Sequence, residues 1–221
     1  MSTTDLAQPL REALSALPVF PLPRLVFFPG TTLPLHIFEH RYRTMIKHCL
    51  ATHRALAVAM LLDGPLDEHK NPPFAPVAGA GVIVDHEELP DGRYNILLRG
   101  DARVHLAELP FLPPYRRARA EILDDLPGAL SPADRTALLT LVHAFVGDFR
   151  AKHPDFDFDF PEGPLEQALN PLASALVAST EAKQRILAER SPQERCSLLL
   201  EQLAHQRAIL QRQPGAQRIL H

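Results

Sequence analysis

The sequence has no tryptophan, only two cysteines and only 10 glycines in 221 residues. Cys49 and Cys196 lie far apart and form no Cys-x-x-Cys pair, which argues against a disulfide framework or a structural zinc site. None of the glycines is followed by lysine, so the Walker A loop, in which backbone amides and a lysine hold nucleotide phosphates, is absent. ATP binding by that route is excluded, and the two cysteines are expected to be buried free thiols.

Long apolar runs and a strong charge of one sign are also missing. No charge-free apolar run approaches the roughly 18 residues of a membrane span. The N-terminus has early acidic residues and lacks the basic and apolar regions of a signal peptide. The formal net charge is -3, which gives no general attraction to phosphate backbones. We therefore expect a cytoplasmic protein that has no membrane partner and needs no cofactor.

Proline, in contrast, is abundant, with 22 in the chain. Prolines interrupt short apolar runs between residues 17 and 37, a pattern that favours short edge or barrel strands over helices. One of these predicted strands covers residues 25–28. Residues 54–62 form a continuous apolar run, which indicates a strand buried on both faces, with a helix as the alternative.

The clearest hairpin covers residues 82–98, where Pro90-Asp91-Gly92 separates two strand-like runs. Gly100 is expected to break the second strand, and further strands are predicted beyond it. Residues 39–51 carry apolar side chains at helical spacing, which predicts one helix inserted among the strands.

Helical signals dominate after residue 126. Ser131-Pro132 places an N-cap serine before a proline at the first helical position, and Ser191-Pro192-Gln193-Glu194 is predicted to form a full capping box. The fold class is therefore α+β. The predicted organisation is a flexible segment over residues 1–16, a β-rich domain over residues 17–125 and a helical domain over residues 126–221.

Two segments carry a resemblance to a known family. They are LPVFPLPRLVFFPGTTLPLHIFEHRYRTMI, residues 17–46, and AGAGVIVDHEELPDGRYNILLRGDARVHLAEL, residues 78–109. In this order they resemble the N-terminal domain of Lon protease, and the resemblance covers about residues 17–203. It implies a PUA-like β-barrel or sandwich of short strands with one inserted helix, followed by a C-terminal helical bundle.

The resemblance also implies a function in substrate recognition. We expect a stand-alone, non-catalytic module that binds unfolded or peptide-like polypeptide segments, with a separate protease or chaperone as a further partner. Binding would use apolar burial, with main-chain pairing along a strand edge as a second mode. The predicted peptide-binding residues are Phe27, Phe28, Pro29, Glu39, Arg41, Tyr42 and Arg99. In the alternative interpretation the aromatic residues only fill the barrel end, and Glu39 pairs with Arg41 or Arg99.

A zinc hydrolase is one competing hypothesis. His36-Ile37-Phe38-Glu39-His40 matches the His-x-x-Glu-His pattern, in which two histidines on one helical face bind zinc and the glutamate acts as a base. That geometry requires a helix through all five residues. The sequence instead predicts a strand at His36 and a helix that begins near Glu39, so we expect no catalytic residues and no metal.

An RNA-binding barrel is the other alternative. Five arginines and a tyrosine for base stacking could form a basic strip. Acidic residues follow this strip directly, and surface arginines usually pair with such neighbours, so nucleic acid is not the expected partner. The residues of the strip are Arg99, Arg103, Tyr115, Arg116, Arg117 and Arg119.

Overall fold

The structure is a computed structural model that describes residues 8–212. The chain divides into two compact units, residues 1–124 and residues 125–221. Among residues 8–212, all strands lie in the first unit and all regular elements of the second are helices, which confirms the α+β class. Residues 1–7 of the predicted flexible segment and residues 213–221 of the predicted helical domain lie outside the described residues.

The first unit forms a six-stranded mixed sheet with one helix inserted after the second strand. The strand order is β2-β5-β4-β3-β1-β6, and β5 also pairs with β6. The first half of β5 pairs with β2 and its second half with β6, so all strands except β2 close into a barrel. The elements are α1 (Gln8–Ala13), β1 (Leu17–Leu22), β2 (Thr32–Ile37), α2 (His40–Ala51), β3 (Ala55–Met60), β4 (Val77–Glu88), β5 (Tyr94–Glu108) and β6 (Arg116–Ile122).

Strand β3 of the barrel is buried on both of its faces. The alanines of β3 belong to the interior cluster, because a ring of so few strands leaves little room for side chains inside it. Leu56 and Val58 belong to the outer cluster, together with Met45 of α2. The continuous apolar run is therefore a strand buried on both faces, and its alternation of small and large residues follows the pleat.

Helix α1 corrects part of the predicted flexible segment over residues 1–16. Residues 8–13 are helical, and Leu10 and Ala13 are buried in the same cluster as the barrel interior. The helix is ordered because its apolar side chains cover interior surface that the strands leave open. The backbone N–H of Ala120 on β6 also donates to the carbonyl of Leu14, at 2.8 Å.

The predicted strand over residues 25–28 is absent, because this segment crosses the sheet instead of joining it. Gly79 and Gly100 lie directly beneath it. A Cβ on Gly79 would lie 2.1 Å from the carbonyl oxygen of Phe27, and a Cβ on Gly100 would lie 2.2 Å from that of Phe28. The N–H of Gly30 donates to Gly100 at 2.9 Å. The glycines thus admit the crossing backbone, and β5 continues through Gly100 without the predicted break.

The described part of the second unit consists of four helices, and α6 packs against the other three. Ser131 caps α3 as predicted, since its hydroxyl accepts the N–H of Asp134 at 3.0 Å. Only half of the predicted capping box forms at Ser191: its hydroxyl accepts the N–H of Glu194, but its own N–H donates to Glu189. The elements are α3 (Pro132–Lys152), α4 (Leu165–Leu176), α5 (Thr180–Ala188) and α6 (Pro192–Arg212).

A buried arginine anchors the start of the second unit. The Arg195 side chain is 1% exposed and its Nη2 donates to the Asp125 carboxylate at 2.6 Å. Its Nε and Nη1 have no hydrogen-bond partner among residues 8–212. The N–H of Leu126 donates to the carbonyl of Arg190 at 2.9 Å. The first two residues of the unit are therefore both held by hydrogen bonds within the unit.

Among residues 8–212, no helix combines the length and the apolar character that crossing a membrane requires.

Substitution of Gly100 by alanine should destabilise the first unit by about 3 kcal/mol, because the new methyl group would meet the backbone of Phe28. Gly147→Ala is the matched control. Nothing lies within 4 Å of a Cβ at Gly147 in α3, so this change should stabilise its helix by about 0.5–1 kcal/mol. Urea unfolding followed by circular dichroism measures both. Equal effects of the two substitutions would contradict the close crossing.

Replacement of Asp125 by asparagine should destabilise the second unit by about 3–5 kcal/mol, because Arg195 would keep a buried charge without its carboxylate. Arg195→Met should cost less, since the Asp125 side chain is 36% exposed and water can solvate the remaining carboxylate. Denaturant midpoints of the two variants test this asymmetry. A larger loss for Arg195→Met would show that the ion pair is not the main interaction of this arginine.

Candidate functional site

One end of the barrel gathers the ends of several strands. Strands β1 and β3 are parallel, and β4 runs antiparallel to both β3 and β5. The carboxyl ends of β1, β3 and β5 therefore lie together, beside the start of the antiparallel β6. The loops of residues 61–76 and 109–115 both leave from this end. The topology thus brings together two loops that are far apart in sequence.

A small open pocket of about 40 Å³ lies between these loops and the first turn of α2. Aromatic rings and prolines dominate its walls, with two arginines and one asparagine as the polar groups. Ligand pockets in proteins are commonly built in this way, with apolar walls and few polar groups. The lining residues are Pro21, Arg41, Tyr42, Leu61, Asn71, Pro72, Phe111, Pro114, Tyr115 and Arg116.

Tyr42 joins the pocket to the barrel core. Its ring packs edge-on against Phe20 with centroids 4.5 Å apart, and the Arg41 guanidinium lies 4.5 Å above the same ring. Burial raises the pKa of Tyr42, while the positive charge of Arg41 acts in the opposite direction. The phenol therefore stays neutral at physiological pH and can donate a hydrogen bond.

Tyr115 forms a second aromatic wall and is held by a histidine. Its hydroxyl hydrogen-bonds to Nδ1 of His48 on α2. Burial raises the pKa of Tyr115, and the nearby charge of Arg117 lowers it to a smaller extent. The His48 bond connects α2 with the start of β6, so the two walls of the pocket are tied to each other.

Arg116 connects the end of β5 with the loop of residues 61–76. Its guanidinium donates to both carboxylate oxygens of Glu108 at 2.6 Å and to the carbonyl of Pro72 at 2.7 Å. It also lies 4.2 Å above the ring of Phe74. A buried, bidentate and stacked arginine holds its partners in a fixed geometry, so the pocket walls are preorganised.

The loop of residues 61–76 has internal support as well. The Asp67 carboxylate accepts the N–H groups of His69 and Asn71 at 2.8 and 2.7 Å, and these bonds lower the pKa of Asp67. The His69 ring lies 4.9 Å from that of Phe111. The two loops also expose large apolar side chains to solvent, namely Leu62, Leu66 and Leu112.

The structure separates the predicted peptide-binding residues into two groups. Phe27 and Phe28 are 3% and 0% exposed, and Pro29 is also buried. These residues belong to the crossing segment and its end, and their side chains are buried, so a peptide cannot reach them in this conformation. The sequence analysis placed these residues on a peptide-binding surface, and their burial corrects that placement. Arg99 donates to the buried carboxylate of Asp101 at 2.7 Å and does not line the pocket.

Arg41 and Tyr42 are the predicted residues that do line the pocket, and Glu39 pairs with Arg41 at 2.9 Å. Sequence reasoning missed Phe111 and the prolines of both loops, and it assigned Tyr115 to the basic strip instead of this pocket. The sequence feature that could have identified these residues is the clustering of prolines next to aromatic residues, between positions 72 and 76 and between positions 110 and 115.

The geometry for a zinc hydrolase is not present at the His-x-x-Glu-His motif. His36 lies on β2, where its Nδ1 contacts Asn95 at 2.7 Å, whereas His40 is the first residue of α2. The two histidines therefore do not share one helical face. In the described part of the chain, no three histidine, cysteine or acidic side chains come together as metal ligands.

The basic strip that could bind RNA is largely engaged in the fold. Arg99 pairs with Asp101, and Arg116 pairs with Glu108. Arg103 is buried and donates to the carbonyl of Leu123 at 3.2 Å. Only Arg117 and Arg119 of the predicted strip point outward on β6, because their neighbours Ala118 and Ala120 face the barrel interior.

Comparisons with known proteins decide the family. The family model described as the "ATP-dependent protease La (LON) substrate-binding domain" matches residues 16–205. This chain belongs to the Lon substrate-binding domain family.

Full-length relatives of this Lon-family domain are much longer. The chain is 24% identical to a Lon protease of Cytophaga hutchinsonii over 200 residues, and 25% identical to that of Heliobacterium modesticaldum over 209 residues. These matches cover 86% and 91% of this chain but only 24% and 25% of the two relatives. The chain thus spans about a quarter of the length of the Lon proteases it matches.

Solved structures show that the fold is shared. A Lon N-terminal domain protein from Xanthomonas campestris has a TM-score of 0.63 and 24% identity, with 84% of this chain and 97% of that chain covered. The N-terminal domain of the Lon protease of the Mycobacterium avium complex has a TM-score of 0.61 and 14% identity, with 86% and 98% covered.

Acidic pH should weaken the first unit through His53. Burial lowers the pKa of this histidine, and neighbouring His48 lowers it further. Its Nδ1 also accepts the N–H of Ala55 at 3.1 Å, which requires an unprotonated nitrogen. Since unfolded histidine takes up its proton near pH ~6.5, protonation favours the unfolded state, and stability falls as the pH drops below that value.

His53→Asn should therefore reduce the loss of thermal stability between about pH 7.5 and about pH 5.5. Melting temperatures measured at both pH values test this, with His205→Asn at an exposed position on α6 as the matched control. An unchanged acid sensitivity in His53→Asn would show that other groups cause it.

Proposed function

We propose that this Lon-family domain is a non-catalytic module that binds apolar segments of polypeptides in the pocket at the barrel end. The observation that carries the proposal is the lining of that pocket by Tyr42, Phe111 and Tyr115 together with three prolines. The adjoining loops expose Leu62, Leu66 and Leu112. Exposed apolar side chains around a preformed concave site are typical of protein interaction surfaces.

The binding energy would come mainly from burial of an apolar side chain of the peptide. Full burial of a leucine or phenylalanine contributes roughly 1.5–3 kcal/mol, and rings held in place by Arg41 and His48 lose little freedom on binding. The Asn71 amide and the tyrosine hydroxyls can pair with peptide backbone groups. With so few polar groups, the pocket would select apolar character and not one particular sequence.

The family supports the same proposal. Its model is named for substrate binding, and the matching relatives are Lon proteases. We therefore propose unfolded or peptide-like polypeptides as clients and a separate protease or chaperone as a further partner. A cytoplasmic location and the absence of catalytic activity are parts of the same proposal.

Main-chain pairing along a strand edge is less favoured than the pocket. Among the described strands, β2 pairs with β5 on one side only, so its other edge is the natural place for an added strand. Pro34 lies in the middle of β2 and has no N–H to donate. A proline at this position interrupts the row of donors that a paired peptide would need.

The double variant Phe111→Ala/Leu112→Asp should weaken binding of a labelled apolar peptide by about tenfold or more, because it removes one pocket wall and charges the adjoining loop. Fluorescence anisotropy measures the affinity. Both residues lie in the loop of residues 109–115, so the barrel core should remain intact, and circular dichroism checks this.

Phe38→Asp is the matched control for this experiment. Phe38 and Leu112 are both 62% exposed, but Phe38 lies between β2 and α2 and does not line the pocket. Its replacement should leave the affinity unchanged. If the pocket variant binds as well as the parent protein, or if Phe38→Asp causes the same loss, the proposed site is wrong.

A further inference from the structure

We propose that the pocket prefers apolar anchor residues that are flanked by aspartate or glutamate. This rests on the proposed function, since it specifies which apolar segments the same pocket would hold. The reason is the positive charge along one side of the pocket, where α2 and β6 carry Arg41, Arg117 and Arg119.

Arg41 supplies the first of these charges. Its side chain is 48% exposed and is paired with Glu39, which is 43% exposed. Exposed pairs of this kind contribute little free energy because water solvates both partners. A carboxylate of a bound peptide can therefore replace Glu39 at low cost, while the guanidinium stays stacked on Tyr42.

Arg117 supplies the second charge, next to the Tyr115 wall. It is half-buried on the outer face of β6, close enough to Tyr115 for its charge to influence that hydroxyl. Within residues 8–212 no carboxylate pairs with Arg117 or with Arg119, the next outward residue of β6. Both cations are therefore available to a ligand that passes Tyr115.

Two carboxylates on the opposite side of the pocket are already engaged, and the other two of its loop, Asp63 and Glu68, are exposed, where water screens their charge. Glu108 accepts two hydrogen bonds from Arg116. Asp67 accepts the backbone N–H groups of His69 and Asn71. An acidic flank next to the anchor residue would thus face free cations, whereas a basic flank would face repulsion from the same groups.

A peptide fits this surface better than RNA does. The cations border a pocket with proline and aromatic walls, and Arg99, Arg103 and Arg116 of the basic strip are engaged in the fold. The net charge of -3 also opposes general attraction to a polyanion. RNA binding is therefore an outcome that the experiment must be able to detect.

The test uses three labelled peptides that share one Leu-Phe-Leu anchor and carry aspartate, asparagine or lysine on both sides of it. At low salt, the acidic peptide should bind about fivefold more tightly than the neutral one, and the basic peptide should bind more weakly than both. Added salt should reduce the acidic preference, because the flanking charges are exposed to solvent.

Arg117→Gln/Arg119→Gln should bring the ratio of acidic to neutral affinity close to one. Arg93→Gln is the control: Arg93 lies at the opposite end of the barrel, beside the start of β5, with its side chain 44% exposed, and the ratio should stay as in the parent protein. Circular dichroism confirms that the variants fold.

The outcomes separate this inference from the function on which it rests. Equal affinities for the three peptides would overturn the acidic preference and leave the peptide-binding proposal intact. If the parent protein binds none of them, both fail. If a single-stranded oligouridine binds more tightly than the acidic peptide and displaces it, the cations serve nucleic acid and the inference is wrong.

Discussion

The close crossing of the segment before Gly30 over Gly79 and Gly100 is the constraint on which the first unit depends. It places Phe27 and Phe28 in the core and delivers the chain to the start of β2. Any side chain at either glycine would push this backbone away from the sheet. The two segments that carry the family resemblance are therefore two sides of one contact: one supplies the crossing backbone and the other supplies the glycines beneath it.

The pocket depends on closure of the barrel in a similar way. Its lining comes from β1, α2 and two loops that meet only because β6 pairs with both β1 and β5. Arg116, at the start of β6, then joins Glu108 to Pro72. A preformed pocket results, in which charged groups hold the walls and apolar groups line the space between them. The same division explains why most arginines of the basic strip are structural.

Local signals in the sequence predicted local structure well. The Asp91-Gly92 turn forms with a positive φ at Gly92, the serine caps begin their helices, and β3 is buried on both faces. Residues 25–28 were misassigned because apolar character reports burial and not strand pairing. The pocket could be predicted only in part, at Arg41 and Tyr42, since its remaining walls meet through contacts between positions more than 30 residues apart, as in the bond from Arg116 to Pro72.

The alanine-rich barrel interior has a consequence for how such a sequence can vary. The buried cluster of the interior contains Ala55, Ala57, Ala78, Ala80, Ala102, Ala118 and Ala120, and close packing makes an added methyl group costly at such positions. Substitutions by larger apolar residues, which hydrophobicity scales score as conservative, would destabilise the barrel at these positions. Large residues on the outer face can still be exchanged for others of similar volume. The strongest limits on sequence drift in this domain therefore fall on its smallest side chains.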